Sequence, residues 1–220
     1  MGRVIIVGTS HIASESVAEV ERVISDYNPE VVALELDRQR LYSLLSKRSG
    51  RIRWSDVRML GARGFAVNAI GAYIEKRLGK MVGSTPGDEM RKAVEMARGC
   101  GARIALIDQD IRITLRKLTE RVGLKEKGRL AWDIVRGLVG RGEVGFDLRK
   151  VPDRAIIEKL TKKVKMRYPS VYAVLIEERN VVMAKGLYKL MGESKGKVVA
   201  VVGAGHENGV ALLLKKMVAK

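Results

Sequence analysis

The chain contains two histidines, and both follow the same local pattern. His11 comes after the β-branched run Val4–Val7, and His206 comes after the similar run Val198–Val202. In each case a Gly-x-x-His turn leads from an apolar strand-like run into a segment that predicts a helix. Imidazole groups bind divalent transition metals and act as general acids or bases. If the fold brings the two turns together, the protein has one site that contains both of its imidazoles.

Each histidine also has a purely structural interpretation, in which it caps a strand-to-helix turn and forms hydrogen bonds with the backbone. The pairing favours a shared site instead, because the chain has no other histidine and both follow equivalent runs. The glycine of each turn also permits a tight bend and a close approach of backbone to ligand.

A carboxylate interrupts the second apolar run. Glu35 lies within Val31–Leu36, where a buried charge is costly unless it is paired or bound to a metal. The alternative interpretation is an ion pair with a nearby arginine such as Arg38. Asp37 follows at the end of the run, where a helix cap is an equally good explanation.

Further acidic residues accompany the third run. Asp108 and Asp110 come directly after Ile104–Ile107, and one of them is expected to cap the helix that contains Ile113. Glu89 lies in the first turn of a predicted helix, where the helix dipole alone explains an acid.

The four apolar runs lack period-2 alternation, which is typical of strands buried on both faces of a parallel sheet. Helical patterns separate them, so we predict an α/β fold with a mostly parallel central sheet and flanking helices. Functional groups of such sheets gather where the carboxyl ends of the strands meet the following loops. This rule places the two histidines and the acidic residues along one edge.

We predict a single domain over residues 1–220, with basic helical insertions at about 50–84 and 115–165. The formal net charge is +17. Residues 47–63 carry six Lys/Arg against one acid, and residues 121–165 carry thirteen against six. Nucleic acid, an anionic membrane surface and an acidic peptide are all partners that fit this balance, and a charge-rich solvated surface explains it equally well. The Gly- and Ala-rich stretch 57–83 fits a homodimer interface or internal packing equally well.

The sequence gives no support to several classes of protein. No apolar stretch approaches the length of about 18 residues that spans a bilayer, so we expect no transmembrane segment. A single cysteine, Cys100, excludes an internal disulfide and favours a cytoplasmic location, with peripheral membrane association left open. The nucleophile elbow, the P-loop and the dinucleotide-binding fingerprint are absent from the sequence.

Six short segments together resemble one family, and they cover roughly residues 3–45, 84–118 and 168–212. In chain order they are Val-Gly-Thr-Ser-His11, Val-Val-Ala-Leu-Glu35-Leu-Asp37-x-x-Arg40, Pro-Gly-Asp-Glu89-Met, Leu-Ile-Asp108-Gln-Asp110-Ile-x-x-Thr-Leu, Glu178-Arg179-Asn180 and Val-Val-Gly-Ala-Gly-His206. This set resembles the TraB family, which includes the PrgY pheromone-shutdown proteins and is related to the Tiki and GumN proteins.

The resemblance implies a fold of the erythromycin-esterase and ChaN type. It implies a metal-dependent, peptidase-like hydrolase that uses Mn, Co or Zn, or a protein that sequesters a short peptide. The metal ligands that it implies are His11, Glu35 and His206. Carried over in the same way, the catalytic candidates are Glu35, Glu89, Asp108 and Arg179, and the substrate-binding candidates are Asp37, Arg38, Arg40, Asp110 and Glu178.

Two departures from the family pattern matter. Gln109 stands where many members have arginine, so an anion contact there is not expected. The membrane-spanning tail of many microbial members is missing, so we expect either a soluble form or one domain of a longer protein.

Three functions therefore stand as hypotheses. The first is a metal-dependent hydrolase acting on a peptide, and the second is a non-catalytic protein that sequesters a peptide ligand in the same pocket. The third is binding of nucleic acid or an anionic surface through the basic insertion. Few aromatic residues are available to stack on single-stranded bases, which weakens the third.

Overall fold

A central sheet of four parallel strands organises the chain, as the sequence predicts. The computed structural model describes residues 3–9, 14–46, 87–138 and 154–219. In spatial order β1-β4-β2-β3, the strands are β1 (Val4–Thr9), β4 (Val198–Gly203), β2 (Val31–Leu34) and β3 (Arg103–Leu106). The last strand is therefore inserted between the first two.

Helices connect and flank the strands. They are α1 (Ser14–Tyr27), α2 (Arg38–Leu45), α3 (Asp88–Gly99), α4 (Ile111–Arg121), α5 (Leu124–Leu138), α6 (Arg154–Arg167), α7 (Pro169–Tyr172), α8 (Glu178–Glu193) and α9 (Ala204–Val218). A π-helical turn at Ala173–Glu177 joins α7 to α8 without a break.

Both faces of the sheet are buried, and alternate residues of each strand serve the two faces. In β2, Val32 and Leu34 pack with α1 and α3, whereas Val31 and Ala33 pack with α8 and α9. Every residue of β4 is buried, as expected for a central strand of a parallel sheet. The result is a three-layer α/β/α arrangement.

Helical spacing explains which faces of the helices meet the sheet. In α3 the buried apolar residues are Met90, Ala93, Val94 and Ala97, which form one stripe at helical period. On the opposite layer, α8 and α9 pack against each other and cover β4 and β1. Each such stripe fixes which side of its helix faces the sheet.

Most of the predicted insertion at 115–165 is helical where the structure describes it, in α4, α5 and α6. The predicted insertion at 50–84 lies outside the described residues. The likeness to the erythromycin-esterase and ChaN folds stays a prediction. None of the helices in the described ranges is both long and apolar enough to cross a membrane.

Alanine substitution is expected to change the free energy of unfolding in opposite directions at two glycines near the end of α3. Gly101 has φ of +72°, whereas Gly99 ends the helix, and a Cβ added at either position meets nothing within 4 Å. We expect Gly101→Ala to lower the free energy of unfolding by about 1–2 kcal/mol, because L-residues are strained at positive φ. Gly99→Ala is expected to raise it by about 0.4–1 kcal/mol through the unfolded chain. Urea unfolding of both variants tests this, and a stabilised Gly101→Ala would contradict the backbone argument.

Candidate functional site

The carboxyl ends of the parallel strands gather the polar residues that the sequence singles out. Glu35 follows β2, Asp108 follows β3 closely, and His206 lies in the first turn of α9 directly after β4. Helices α3 and α8 run back from this edge to the opposite one, since each leads into the start of a strand. Their first turns, which contain Glu89 and Arg179, therefore begin at the same edge.

The strands that precede the two Gly-x-x-His turns are neighbours. In the register of β1 with β4, Gly8 is opposite Val202 and Thr9 is opposite Gly203. The two turns therefore leave adjacent strands at the same edge, offset by one residue. His11 lies outside the described residues, so the metal-ligand role predicted for it stays a prediction.

Glu35 is buried, with 3% of its surface exposed. Strand β2 ends at Leu34, two residues earlier than the predicted run, yet the Glu35 amide still donates to the Val201 carbonyl at 3.1 Å. Its carboxylate oxygen Oε2 accepts a hydrogen bond of 2.6 Å from the Gly203 N–H. Because β4 lies next to β2, the second Gly-x-x-His turn itself holds this carboxylate.

Arg179 is the ion-pair partner of Glu35, through Nη2 and Oε1. The sequence offered an ion pair with a nearby arginine, such as Arg38, as one interpretation of Glu35, and the structure shows the ion pair with Arg179. Arg38 begins α2 and is exposed, whereas Arg179 reaches Glu35 from the first turn of α8 and has 13% of its side chain exposed. Glu35 therefore forms an ion pair with an arginine, as one interpretation expects. It also faces His206, as a shared metal site would require.

Asp108 completes a four-charge cluster. The Arg179 guanidinium donates to it twice, from Nε at 3.0 Å and from Nη2 at 2.7 Å, and Arg40 Nη1 donates at 2.9 Å. Burial alone would lower the pKa of Arg179, but its hydrogen bonds to Asp108 and the charges of Glu35 and Asp108 raise that pKa above its ordinary value. Two carboxylates and two arginines thus balance one another at the edge of the sheet.

His206 faces this cluster from the other side. It is 5% exposed, its Nε2 lies 3.5 Å from Glu35 Oε1, and its Nδ1 lies 2.7 Å from Asn180 Oδ1. Asn180 was not among the candidates proposed from the sequence. The signal was present, because Asn180 directly follows Arg179 in the Glu-Arg-Asn segment.

Asp37 and Asp110 cap helices. Asp37 Oδ1 accepts from the backbone N–H groups of Gln39 at 2.8 Å and Arg40 at 2.9 Å, and its Oδ2 accepts from Ile111 N–H at 3.2 Å. Asp110 caps α4 and pairs with Arg112, whose side-chain and backbone hydrogen bonds lower the pKa of Asp110. The cap interpretation of both residues is therefore confirmed, and their roles in substrate binding stay predictions.

Glu178 is the first residue of α8 and pairs with Lys117 and Arg121 of α4. Its neighbour Glu177 is exposed. These ion pairs tie two helices together, so the position of Glu178 is explained without a substrate. Glu89 is 2% exposed in the first turn of α3. The catalytic role predicted for Glu89 and the substrate role predicted for Glu178 stay predictions.

An open cavity of about 610 Å³ adjoins the cluster, with Asp108 common to both. It runs along the edge strand β3 and past the starts of α2 and α4. The residues that line it are Asp37, Arg38, Gln39, Ile104, Leu106, Asp108, Asp110 and Arg112. Its volume is in the range of small-molecule and cofactor sites, and its lining combines two apolar side chains with charged ones.

Of the three predicted metal ligands, the structure describes Glu35 and His206. Within the described ranges, no three His, Cys, Asp or Glu side chains are placed to hold one metal ion. Glu35 and His206 form a pair of suitable donors, and the third predicted ligand is His11. The basic stretch 47–63 also lies outside the described ranges, so a nucleic-acid or anionic-surface partner stays a prediction.

Comparisons with known proteins assign the family. A family model for TraB/PrgY/gumN matches residues 2–220. An uncharacterized protein of Methanocaldococcus jannaschii is 38% identical over 220 residues, which is 96% of this chain and 53% of that protein. The human TraB domain-containing protein is 23% identical over 233 residues, and its mouse counterpart is 24% identical over 238. Each of these two alignments covers 94% of this chain and 61% of the relative.

The chain thus spans between half and two thirds of the length of these curated relatives. The match of the family model extends over nearly all of its residues, and the motif segments at the sheet edge lie within it. The chain belongs to the TraB/PrgY/gumN family.

Proposed function

We propose that this protein is a metal-dependent hydrolase whose site is the edge formed by Glu35, Arg179, Asp108 and His206. The observation that carries the proposal is the approach of His206 Nε2 to Glu35 Oε1 at 3.5 Å, both side chains being buried. An imidazole and a carboxylate facing one another are donors that Zn²⁺, Mn²⁺ or Co²⁺ accepts. His11, which comes two residues after the end of β1 in the sequence, is the proposed third ligand.

The donor set fits a metal in one further respect. A histidine that binds a metal usually donates its other ring N–H to an oxygen, which orients the ring. His206 has such an oxygen in Asn180 Oδ1 at 2.7 Å. The positive charge of Arg179 opposes a cation at Glu35, but Asp108 offsets that charge.

A bound divalent cation would polarise a scissile carbonyl and lower the pKa of a water molecule. The chain's own residues supply the remaining functions. Arg179 holds Glu35 and Asp108 in fixed orientations, and the low exposure of Glu35 and His206 limits the access of bulk water. The adjoining cavity, with Ile104, Leu106 and Arg38 in its wall, is proposed to bind a short peptide segment.

Metal content tests the proposal directly. Protein purified without chelator and supplied with Mn²⁺, Co²⁺ or Zn²⁺ is expected to retain about one metal ion per chain by elemental mass spectrometry. Glu35→Gln and His206→Ala are expected to lose most of it, because the first replaces a charged carboxylate with a weaker neutral amide and the second removes the imidazole. Glu193→Gln is the matched control, since Glu193 lies on the exposed end of α8. A wild-type protein without bound metal, or variants that keep it, would rule out the metal site.

A non-catalytic peptide-binding protein is the second candidate. One observation favours it, namely that Arg179 forms ion pairs with both Glu35 and Asp108, because an ion-paired carboxylate is a weaker general base. A mixed peptide library incubated with metal-loaded protein separates the two candidates. Cleaved products by mass spectrometry support the hydrolase, whereas saturable binding of intact peptides supports sequestration.

A further inference from the structure

We propose that Asn180 is a positioning residue that holds neutral His206 as the Nδ1–H tautomer and so directs the Nε2 lone pair toward Glu35. The inference rests on the proposed function, because the lone pair is what a metal would bind. Its direct evidence is the distance of 2.7 Å between His206 Nδ1 and Asn180 Oδ1. Both side chains are buried, with 5% and 6% exposed.

The chemistry of the two groups fixes the direction of the proton. An amide oxygen only accepts hydrogen bonds, so the nitrogen that faces it must carry the hydrogen. A neutral imidazole has one N–H, and the other nitrogen then presents a lone pair. In this tautomer no hydrogen lies between His206 Nε2 and Glu35 Oε1, and the hydrogen bond that Arg179 donates to Oε1 reduces the repulsion between the two atoms.

The opposite arrangement would turn the amide over and place its Nδ2 against His206. In the structure the amide NH₂ group lies instead beside Gly209 of α9, and Oδ1 faces His206. A Cβ built at Gly209 would overlap Asn180 Nδ2 and lie 3.0 Å from its Cγ, so the amide NH₂ group points at the backbone of α9. Gly209 follows His206 by three residues in the same helix, and its missing side chain makes room for the amide.

The surroundings of Asn180 also argue against a role in packing alone. The next buried residues of α8 are Met183, Ala184 and Leu187, which belong to the apolar core. A buried amide among such residues is costly unless its polar atoms are hydrogen-bonded. The described hydrogen bond of Asn180 goes to His206, so the amide and the imidazole form a unit across the α8–α9 contact.

Nitrogen-15 NMR of the imidazoles tests the inference without metal or substrate. The chain has two histidines, and comparison with His11→Ala assigns the signals of each. In chelator-treated protein, at a pH where His206 is neutral, we expect the Nδ1–H tautomer. Asn180→Leu is expected to shift His206 toward the Nε2–H form, whereas Asn180→Asp, which keeps an acceptor, is expected to retain Nδ1–H.

Gln109→Leu is the matched control, because Gln109 is another buried amide, bonded to Thr114 at 2.8 Å. It should leave the tautomer of His206 unchanged. An Nε2–H form in the wild type, an unchanged tautomer in Asn180→Leu, or loss of Nδ1–H in Asn180→Asp or Gln109→Leu overturns the inference. If Asn180→Leu does not fold, the wild-type and Asn180→Asp spectra still decide.

The metal titration keeps this result separate from the proposed function. If the metal site exists, Asn180→Leu is expected to weaken metal affinity by about 10–100-fold. A wild-type protein that binds no metal but shows Nδ1–H would end the metal proposal and leave the positioning role of Asn180 standing. A protein that binds metal with His206 in the Nε2–H form when metal-free would do the reverse.

Discussion

Arg179→Ala is expected to lower the free energy of unfolding by about 3–5 kcal/mol, because it leaves buried carboxylates without their shared cation. Glu35 and Asp108 have 4% and 2% of their side chains exposed and both bind the Arg179 guanidinium. Arg40 would remain as a partner of Asp108 alone. Urea denaturation followed by circular dichroism measures the loss.

A matched control separates this effect from the removal of any arginine. Arg116 pairs with Glu120 on the surface at 3.9 Å, with 68% of its side chain exposed. Arg116→Ala is expected to change stability by about 0.5 kcal/mol or less. If the two alanine variants prove equally stable, the buried cluster contributes little to the fold and the charge-balance argument fails.

The second large effect concerns Glu35 and its coupling to Arg179. Glu35→Leu removes the acceptor of the Gly203 N–H and leaves Arg179 with one carboxylate where there were two, so we expect a loss of about 3–5 kcal/mol. The double variant Glu35→Leu/Arg179→Ala removes one charge of each sign and leaves Asp108 paired with Arg40.

The double variant should therefore be less destabilised than the sum of the two single variants. Residues that share an ion-pair network usually show coupling of about 0.5–3 kcal/mol, and we expect at least about 1 kcal/mol here. Four urea unfolding curves complete the cycle. Additive losses would mean that Glu35 and Arg179 act independently, in spite of their contact.

Much of the fold could be predicted from local composition. Val198–Val202 is a continuous β-branched and alanine run, which is typical of a strand buried on both faces, and every residue of β4 is buried. The rule that functional groups collect at the carboxyl edge of a parallel sheet placed His206 there with Glu35 or Asp37 and with Asp108 or Asp110, and in the structure Glu35 and Asp108 are the ones that share a cluster. The burial prediction depends only on local composition. The prediction of a shared edge depends only on the strands being parallel, whatever their order in the sheet.

The partners of the site residues could not be predicted in the same way. Arg38 is three positions from Glu35 and is the kind of nearby arginine that the sequence offers as a partner, but Arg179, 144 positions away, forms the ion pair. The choice is decided by α8, which begins at the sheet edge after a π-helical turn. Sequence separation contains no information on which helix will begin beside a given strand end.

The sequence by itself determined the α/β class, the buried strands, a helix cap at either Asp108 or Asp110, and the set of polar residues that end the strands. Only the tertiary structure decided the strand order β1-β4-β2-β3, which places β4 beside both β1 and β2. This order brings the Gly203 N–H to Glu35, and the packing of α8 on α9 brings Asn180 to His206. The physical reason is that periodicity and burial specify one segment at a time, whereas a buried charge is satisfied by whichever donors the packed helices and strands bring within hydrogen-bond distance.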